Sequence, residues 1–147
     1  MEIVKASIEH LQDLIPLFDG YRKFYLQESD LRRSERFLSE RIDNDESIIF
    51  MAYIDNKAVG FTQLYPIFSS VSMQRMLLLN DLYVDSQYRG KGIGEALITT
   101  AKKLCINKKY KGLTLETASN NPAQHLYERL EFKKDNFLHY FWATPNK

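Results

Sequence analysis

VDSQYRGKGIGEAL, residues Val84 to Leu97, decides the fold. The stretch leaves an apolar run, crosses a short polar turn and meets three glycines at alternate positions, Gly90, Gly92 and Gly94, before helical spacing begins. A strand that feeds a glycine turn at the start of a helix is an anion seat by construction. The first amide groups of the helix have no helical partner, and the macrodipole places partial positive charge there. Glycine lets a phosphate come close to the backbone. Arg89 and Lys91 add cations at the same mouth. The spacing is neither the GxxxxGK[ST] of a P-loop nor the GxGxxG of a dinucleotide fingerprint. On these residues alone, a phosphate seat and a tight turn for close helix–sheet packing both stay open.

Outward from the glycines, Arg75–Val84 (RMLLLNDLYV) reads as a central strand. Gly92–Asn107 returns apolar residues at Ile93, Leu97, Ala101 and Leu104, the helical period. Ser47–Ile54 and Lys57–Tyr65 are β-branched and aromatic, with Asp55-Asn56 between them as turn chemistry, so they read as a hairpin. Toward the start, Glu2–Ala6 is a short strand, and Ser7 suits the N-cap of a helix from Ile8 to Leu26. Pro16 and Gly20 inside that helix predict a kink or a break. Ser34–Ile42 is a second short helix. Beyond the glycines, Gly112–Ala118 is a strand, Pro122 opens a helix to about Leu130, and Phe137–Ala143 is a last strand. The order is β-α-α-β-β-β-α-β-α-β, with parallel pairing around the Gly92 helix. The class is α/β (α+β), with helices on both sheet faces.

At 147 residues the chain has the length of one domain, so residues 1–147 are expected to hold a single catalytic domain. A formal charge of +1 argues against a nucleic-acid partner. The single Cys105 rules out an internal disulfide, and His10, His125 and His139 have no ligand spacing, so no metal is expected. No apolar run reaches the ~18 residues of a membrane helix, and MEIVKASIEH lacks the pattern of a signal peptide. The expectation is a reduced, cytoplasmic protein with no membrane partner.

The chain resembles the GCN5-related N-acetyltransferase (GNAT) superfamily. Arg89, Gly92 and Gly94 match that family's [RQ]xxGx[GA] turn, and Asn120, Ala123, Leu126 and Tyr127 match its NxxAxxLY element within NNPAQHLYERLEF. The segment LNDLYVDSQYRGKGIG is most similar to the polyamine and thialysine acetyltransferases. The resemblance implies one mixed central sheet of about six or seven strands. It also implies acetyl-coenzyme A as co-substrate. The pyrophosphate would lie on the amides of Arg89, Gly90, Lys91, Gly92, Ile93, Gly94 and Glu95. The strand before them would carry a bulge and splay from its neighbour, leaving a gap for the pantetheine arm. Val84 would bond that arm through its backbone, Leu82 would offer an amide to the acetyl carbonyl, and Tyr83 lies between them. Asn120 would hold the arm and Tyr127 would lie near the sulfur. Tyr21 and Tyr25 fall in the region that covers the acceptor pocket, where an aromatic rim suits an amine; core packing is the alternative for each.

The chemistry sets its own demands. A primary amine of pKa about 10.4 is neutral only about 1 part in 2500 at pH 7, and neutralising it costs roughly 4.6 kcal/mol. A proton acceptor is needed, and the departing thiolate wants a proton that a phenol such as Tyr127 can give. The polyamine enzymes have a Glu-Asp pair where this chain has Asn80-Asp81. Asn80 cannot accept a full proton, though it can hold a water; Asp81, or Glu116 on the neighbouring strand, could end the wire. A carboxylate inside LLLNDLYV is expensive to bury unpaired. Glu131 stands where the family has glycine after the helix, a left-handed position that costs about 1 kcal/mol without glycine.

The five lysines between Lys102 and Lys111 read as a solvated helix end, with contact to the 3′-phosphate of coenzyme A as the alternative. The closing FLHYFW serves either as last-strand packing or as the edge of a homodimer. The leading expectation is therefore an N-acetyltransferase acting on a small-molecule or peptide amine by direct attack in a ternary complex. A non-catalytic acyl-coenzyme A sensor of the same fold is the alternative, and a dinucleotide oxidoreductase the third reading.

Overall fold

The computed structural model describes residues 1–146. They form two compact units, one from Met1 to Glu116 and one from Thr117 onward. The first holds strands β1 (Glu2–Lys5), β2 (Ile48–Ile54), β3 (Lys57–Ser69), β4 (Gln74–Val84) and β5 (Leu113–Thr114), with helices α1 (Leu11–Phe24), α2 (Leu31–Asp43) and α3 (Ile93–Lys108). The second holds α4 (Gln124–Arg129). The sheet runs in the order β1-β2-β3-β4-β5, antiparallel up to β4, with β5 parallel to β4 across the α3 crossover.

Sequence alternation explains how both sheet faces are buried. Ile49, Met51 and Phe61 join the cluster built by Leu11, Leu14, Ile15, Leu17 and Phe18 of α1. Their neighbours Phe50, Ala52 and Thr62 are also buried, on the opposite face by the period of two. That face belongs to α3: a methyl group added at Gly60 would lie 3.3 Å from Ile93. Helices on both faces are thus observed, as the period of the strands requires.

Four expectations need correction. Among the described residues the sheet has five strands, not six or seven. The strand expected over Gly112–Ala118 is paired only at Leu113–Thr114, because β4 has just Leu77 and Leu78 facing it. Phe137–Ala143 forms no strand despite its aromatic content, since strand propensity becomes structure only against a partner. Finally, α1 is one continuous helix through Pro16 and Gly20, so neither residue breaks it. Gly20 is there for packing: a Cβ would stand 2.7 Å from the Tyr83 hydroxyl.

Termini follow the local code. The Ser7 side chain accepts from the Glu9 amide at the turn before α1, and Asp30 accepts from the Arg33 amide at the start of α2. In the second unit, Glu131 takes the left-handed conformation its position implies, at φ +70°.

Candidate active site

β4 is the spine of the site. At its beginning Leu77 and Leu78 have β3 on one side and β5 on the other. From Leu79 to Val84 only β3 accompanies it. Backbone groups alternate sides along a strand, so half of those in this stretch face a side on which no strand among the described residues pairs with β4. The register explains the parting. Gln63 pairs with Asp81 and Leu64 with Leu79, so Asn80 is an extra residue, a β-bulge. Its carbonyl accepts a hydrogen bond from the Tyr21 hydroxyl at 3.1 Å, which ties α1 to the bulge.

The bulge places two different groups side by side. Asn80 is exposed, whereas Asp81 is buried at 2% exposure. The Asp81 carboxylate accepts from the Asn80 amide through one oxygen and from the Gln63 amide through the other, each at 2.7 Å. Burial pushes the carboxyl above its ordinary value, and the two amide donors pull against that shift. Burial likewise raises the phenol of Tyr65, helped by the Asp81 charge and opposed by Arg41. The amide oxygen of Gln63 is itself buried with no hydrogen-bond partner. Gln63 belongs to no motif. Its one signal in sequence is an amide inside the apolar run GFTQLY, and only the register of β3 on β4 brings it to Asp81.

Past Val84 the chain enters the glycine turn. Asp85 caps a short turn over Ser86–Tyr88. Gly90 and Gly92 take φ of +77° and +79°, with open space where a Cβ would project. Gly92 opens α3 with no side-chain cap, so the leading amides of Ile93 and Gly94 are left without an intrahelical acceptor. The Ile93 side chain turns inward at 2% exposure and anchors the turn on the sheet. Around the mouth, Lys57 and Lys91 lie over the Tyr88 ring at 5.3 and 5.2 Å. The Arg89 guanidinium lies over the rings of Tyr83 and Phe24 at 5.5 and 5.9 Å, while its Nε donates to the Val84 carbonyl at 2.9 Å. An uncapped helix start, glycines that leave room and three cations can hold a diphosphate. A parted strand pair can hold an amide-bearing arm. These residues therefore fit coenzyme A in chemistry.

On the α1 side, the Tyr21 and Tyr25 rings stand 5.1 Å apart, and Tyr21 meets Phe61 edge-on at 6.0 Å. Tyr25 is half-exposed, so the pair forms an aromatic rim beside Asn80. Tyr21, Tyr25, Asn80, Asp81, Leu82, Tyr83, Val84 and the glycine turn all belong to the first unit. Glu116, expected on a strand next to Asp81, instead lies past the end of β5 and is exposed. Asn120 and Tyr127 belong to the second unit. There the Asn121 side chain accepts from the Ala123 amide at 2.9 Å, and Tyr127 meets Phe132 edge-on at 6.0 Å. Cys105 is buried on α3, its thiol raised by burial.

Comparison with known proteins agrees with this geometry. Residues 11–132 match the family model described as the Acetyltransferase (GNAT) family. The chain is 44% identical to the "Uncharacterized N-acetyltransferase YhfO" of Bacillus subtilis (strain 168), over all of both chains. It is 33% identical to a "Probable acetyltransferase" of Haemophilus influenzae, covering 87% of this chain and 97% of that one. A crystal structure described as that of a probable acetyltransferase superposes with a TM-score of 0.94 at 36% identity, again over all of both chains.

Proposed function

We propose, since this chain belongs to the acetyltransferase (GNAT) family and is an N-acetyltransferase, that it moves an acetyl group from acetyl-coenzyme A to a primary amine by direct attack, with Asp81 as the final proton acceptor. The observation that carries this reading is the buried Asp81 carboxylate, held by two amides beside the exposed bulge of Asn80. A carboxyl raised by burial is a better base than a free one, because its pKa moves toward the working pH. Asn80 bridges the difference in depth. Its exposed side chain can hold a water, and that water can carry the amine proton inward to Asp81.

The roles divide along the chain. The turn amides from Arg89 to Glu95, with Lys91 and Arg89, would hold the diphosphate. The Val84 backbone would align the pantetheine arm beside β4. The Leu82 amide would stabilise negative charge on the acetyl oxygen, a role worth about 3–4 kcal/mol at comparable sites. Acetyl-coenzyme A would supply the thioester carbonyl and, in coenzyme A thiolate, the leaving group. The ammonium would first lose one proton to Asp81 through a water held by Asn80; as the N–C bond forms and the C–S bond breaks, Tyr127 would give its phenolic proton to the sulfur, and the second amine proton would return to that phenolate through solvent. Tyr21 and Tyr25 would guide the aliphatic amine in as the cation. Cys105 takes no part: its thiol is buried, protonated and bonded toward the Gly112 carbonyl at 3.7 Å.

The test is a thiol-release assay with acetyl-coenzyme A across polyamines, amino acids, peptides and aminoglycosides. Turnover with at least one primary amine, and none with tertiary amines, is the expected result. Tight uptake of acetyl-coenzyme A with no release across the panel would overturn the reading in favour of a sensor.

A further inference from the structure

Gln63 is fully buried in the middle of β3. Phe61, two residues before it, belongs to the core beneath α1, and by the period of two Gln63 lies on that same face. Stability alone would place an apolar side chain there. Gln63 instead donates from its amide nitrogen to Asp81 at 2.7 Å and leaves its amide oxygen buried without a partner. A buried amide with one end orphaned costs stability. What Gln63 gives in return is its bonded end, which serves the carboxylate it touches.

That carboxylate has no counter-ion: no ion pair among the described residues includes Asp81. Its donors among those residues are the two amides, Gln63 on one oxygen and Asn80 on the other. The titratable and charged side chains around it are Tyr65 of β3, Tyr83 of β4, Tyr21 of α1 and, beyond Tyr65, Arg41 of α2. Hydrogen bonds to the charged form keep a carboxyl ionised, and burial works against them. The two donors differ in one respect that decides their weight. Asn80 is exposed, so water can take its place, whereas no water reaches the position of Gln63. The same stretch of β3 also fixes the backbone of Asp81, because the buried Thr62 hydroxyl donates to its carbonyl at 2.8 Å.

We infer that Gln63 is a positioning residue for the proton acceptor: its amide holds the Asp81 carboxylate in the charged, accepting form and keeps one of its oxygens turned to the Asn80 bulge. Gln63 acts through Asp81 and touches no substrate. The inference rests on the reading of Asp81 as the acceptor. All of the residues involved lie in the first unit.

Gln63→Met keeps the length of the side chain and removes both the donor and the orphaned oxygen. The Asp81 carboxyl carbon is titrated by NMR in the full-length protein, its signal identified by its absence in Asp81→Asn. The acid limb of kcat/KM is measured beside it. Gln63→Met is expected to move the Asp81 midpoint up by about one pH unit or more, a tenfold change in its ionisation equilibrium, and to move the acid limb with it. Asn80→Ser should move the midpoint less. Denaturant melts read the same bond without turnover. At acid pH, where Asp81 is neutral, Gln63→Met should match or exceed the wild type; as pH rises it should lose stability relative to it, because its folded state holds the proton longer. An unmoved midpoint overturns the inference and leaves Asp81 as the acceptor. So does an Asn80→Ser shift as large as that of Gln63→Met, or a Gln63→Met protein destabilised equally at acid and neutral pH. A midpoint that moves while the acid limb stays overturns Asp81 as the acceptor and not the hold of Gln63 upon it. Should Gln63→Met be too unstable for NMR, the melts decide.

Discussion

The two halves of β4 share one strand and one backbone chemistry, yet they do opposite work. Leu77 and Leu78 are flanked by β3 and β5, and Leu77 is fully buried. From Leu79 onward the same strand has a neighbour on one side only, carries a bulge at Asn80 and buries a carboxylate at Asp81. The first half has its ladder and its core filled. The second leaves backbone groups and one ionisable group without the environment that stability alone would select. Features that cost stability gather at functional sites, which is why the proposed chemistry is assigned to the second half.

The largest effect should come from the closed half. Leu77→Ala removes a fully buried side chain and is expected to destabilise the protein by about 2–5 kcal/mol in denaturant melts. Its turnover, measured where it is still folded, should stay near the wild-type value; a large specific loss of turnover would erase the contrast. In the open half, Asp81→Asn should lower kcat about a hundredfold while leaving coenzyme A affinity nearly unchanged.

The same substitution has a stability signature. Native Asp81 has its pKa raised above the ordinary 3.8, so between those two values the folded state holds a proton that the unfolded state has lost. Stability therefore falls as pH rises through that window. Asp81→Asn should flatten this slope and stand up to neutral pH at least as well as the wild type. The unpartnered oxygen of Gln63 can turn to accept from the new amide. An unchanged pH slope in chemical denaturation would show that Asp81 is not the group responsible.

Gly92→Asp should weaken coenzyme A binding tenfold or more by calorimetry. Two causes act together: a side chain at φ +79° costs about 1–2 kcal/mol, and the carboxylate repels a diphosphate. Gly92→Ala separates them, because open space surrounds that position and only the backbone cost remains. Equal losses for Ala and Asp would count against an anion at the turn. The smallest effect is expected for Tyr127→Phe, about a tenfold drop in turnover, near 1.4 kcal/mol, with coenzyme A affinity retained. Unchanged turnover would remove Tyr127 as the acid.

Much of this site is legible in the residues. The glycine turn after an apolar strand, the Asn80-Asp81 pair within LLLNDLYV and the aromatic stretch of α1 can all be picked out by spacing and residue type. The helices α1, α2 and α3 declare themselves by apolar period, and the hairpin by Asp55-Asn56. Where the reading went too far, the missing information was a partner. Gly112–Ala118 and Phe137–Ala143 both have strand-forming composition. The first is paired at two residues and the second at none, because a strand exists only where another backbone completes its hydrogen bonds.

Local sequence thus determined what depends on neighbours along the chain: the left-handed glycines, the uncapped start of α3, the periodicity that buries each face, and a carboxylate placed where burial is costly. Tertiary structure alone decided what depends on residues distant in sequence. The register of β3 on β4 makes Asn80 a bulge and sets Gln63 against Asp81. The early end of β5 leaves the second half of β4 paired with β3 alone among the described residues. Close packing makes Gly20 yield to Tyr83. Pairing register and strand ends are set by the summed packing of many side chains, and no single stretch of sequence contains that sum.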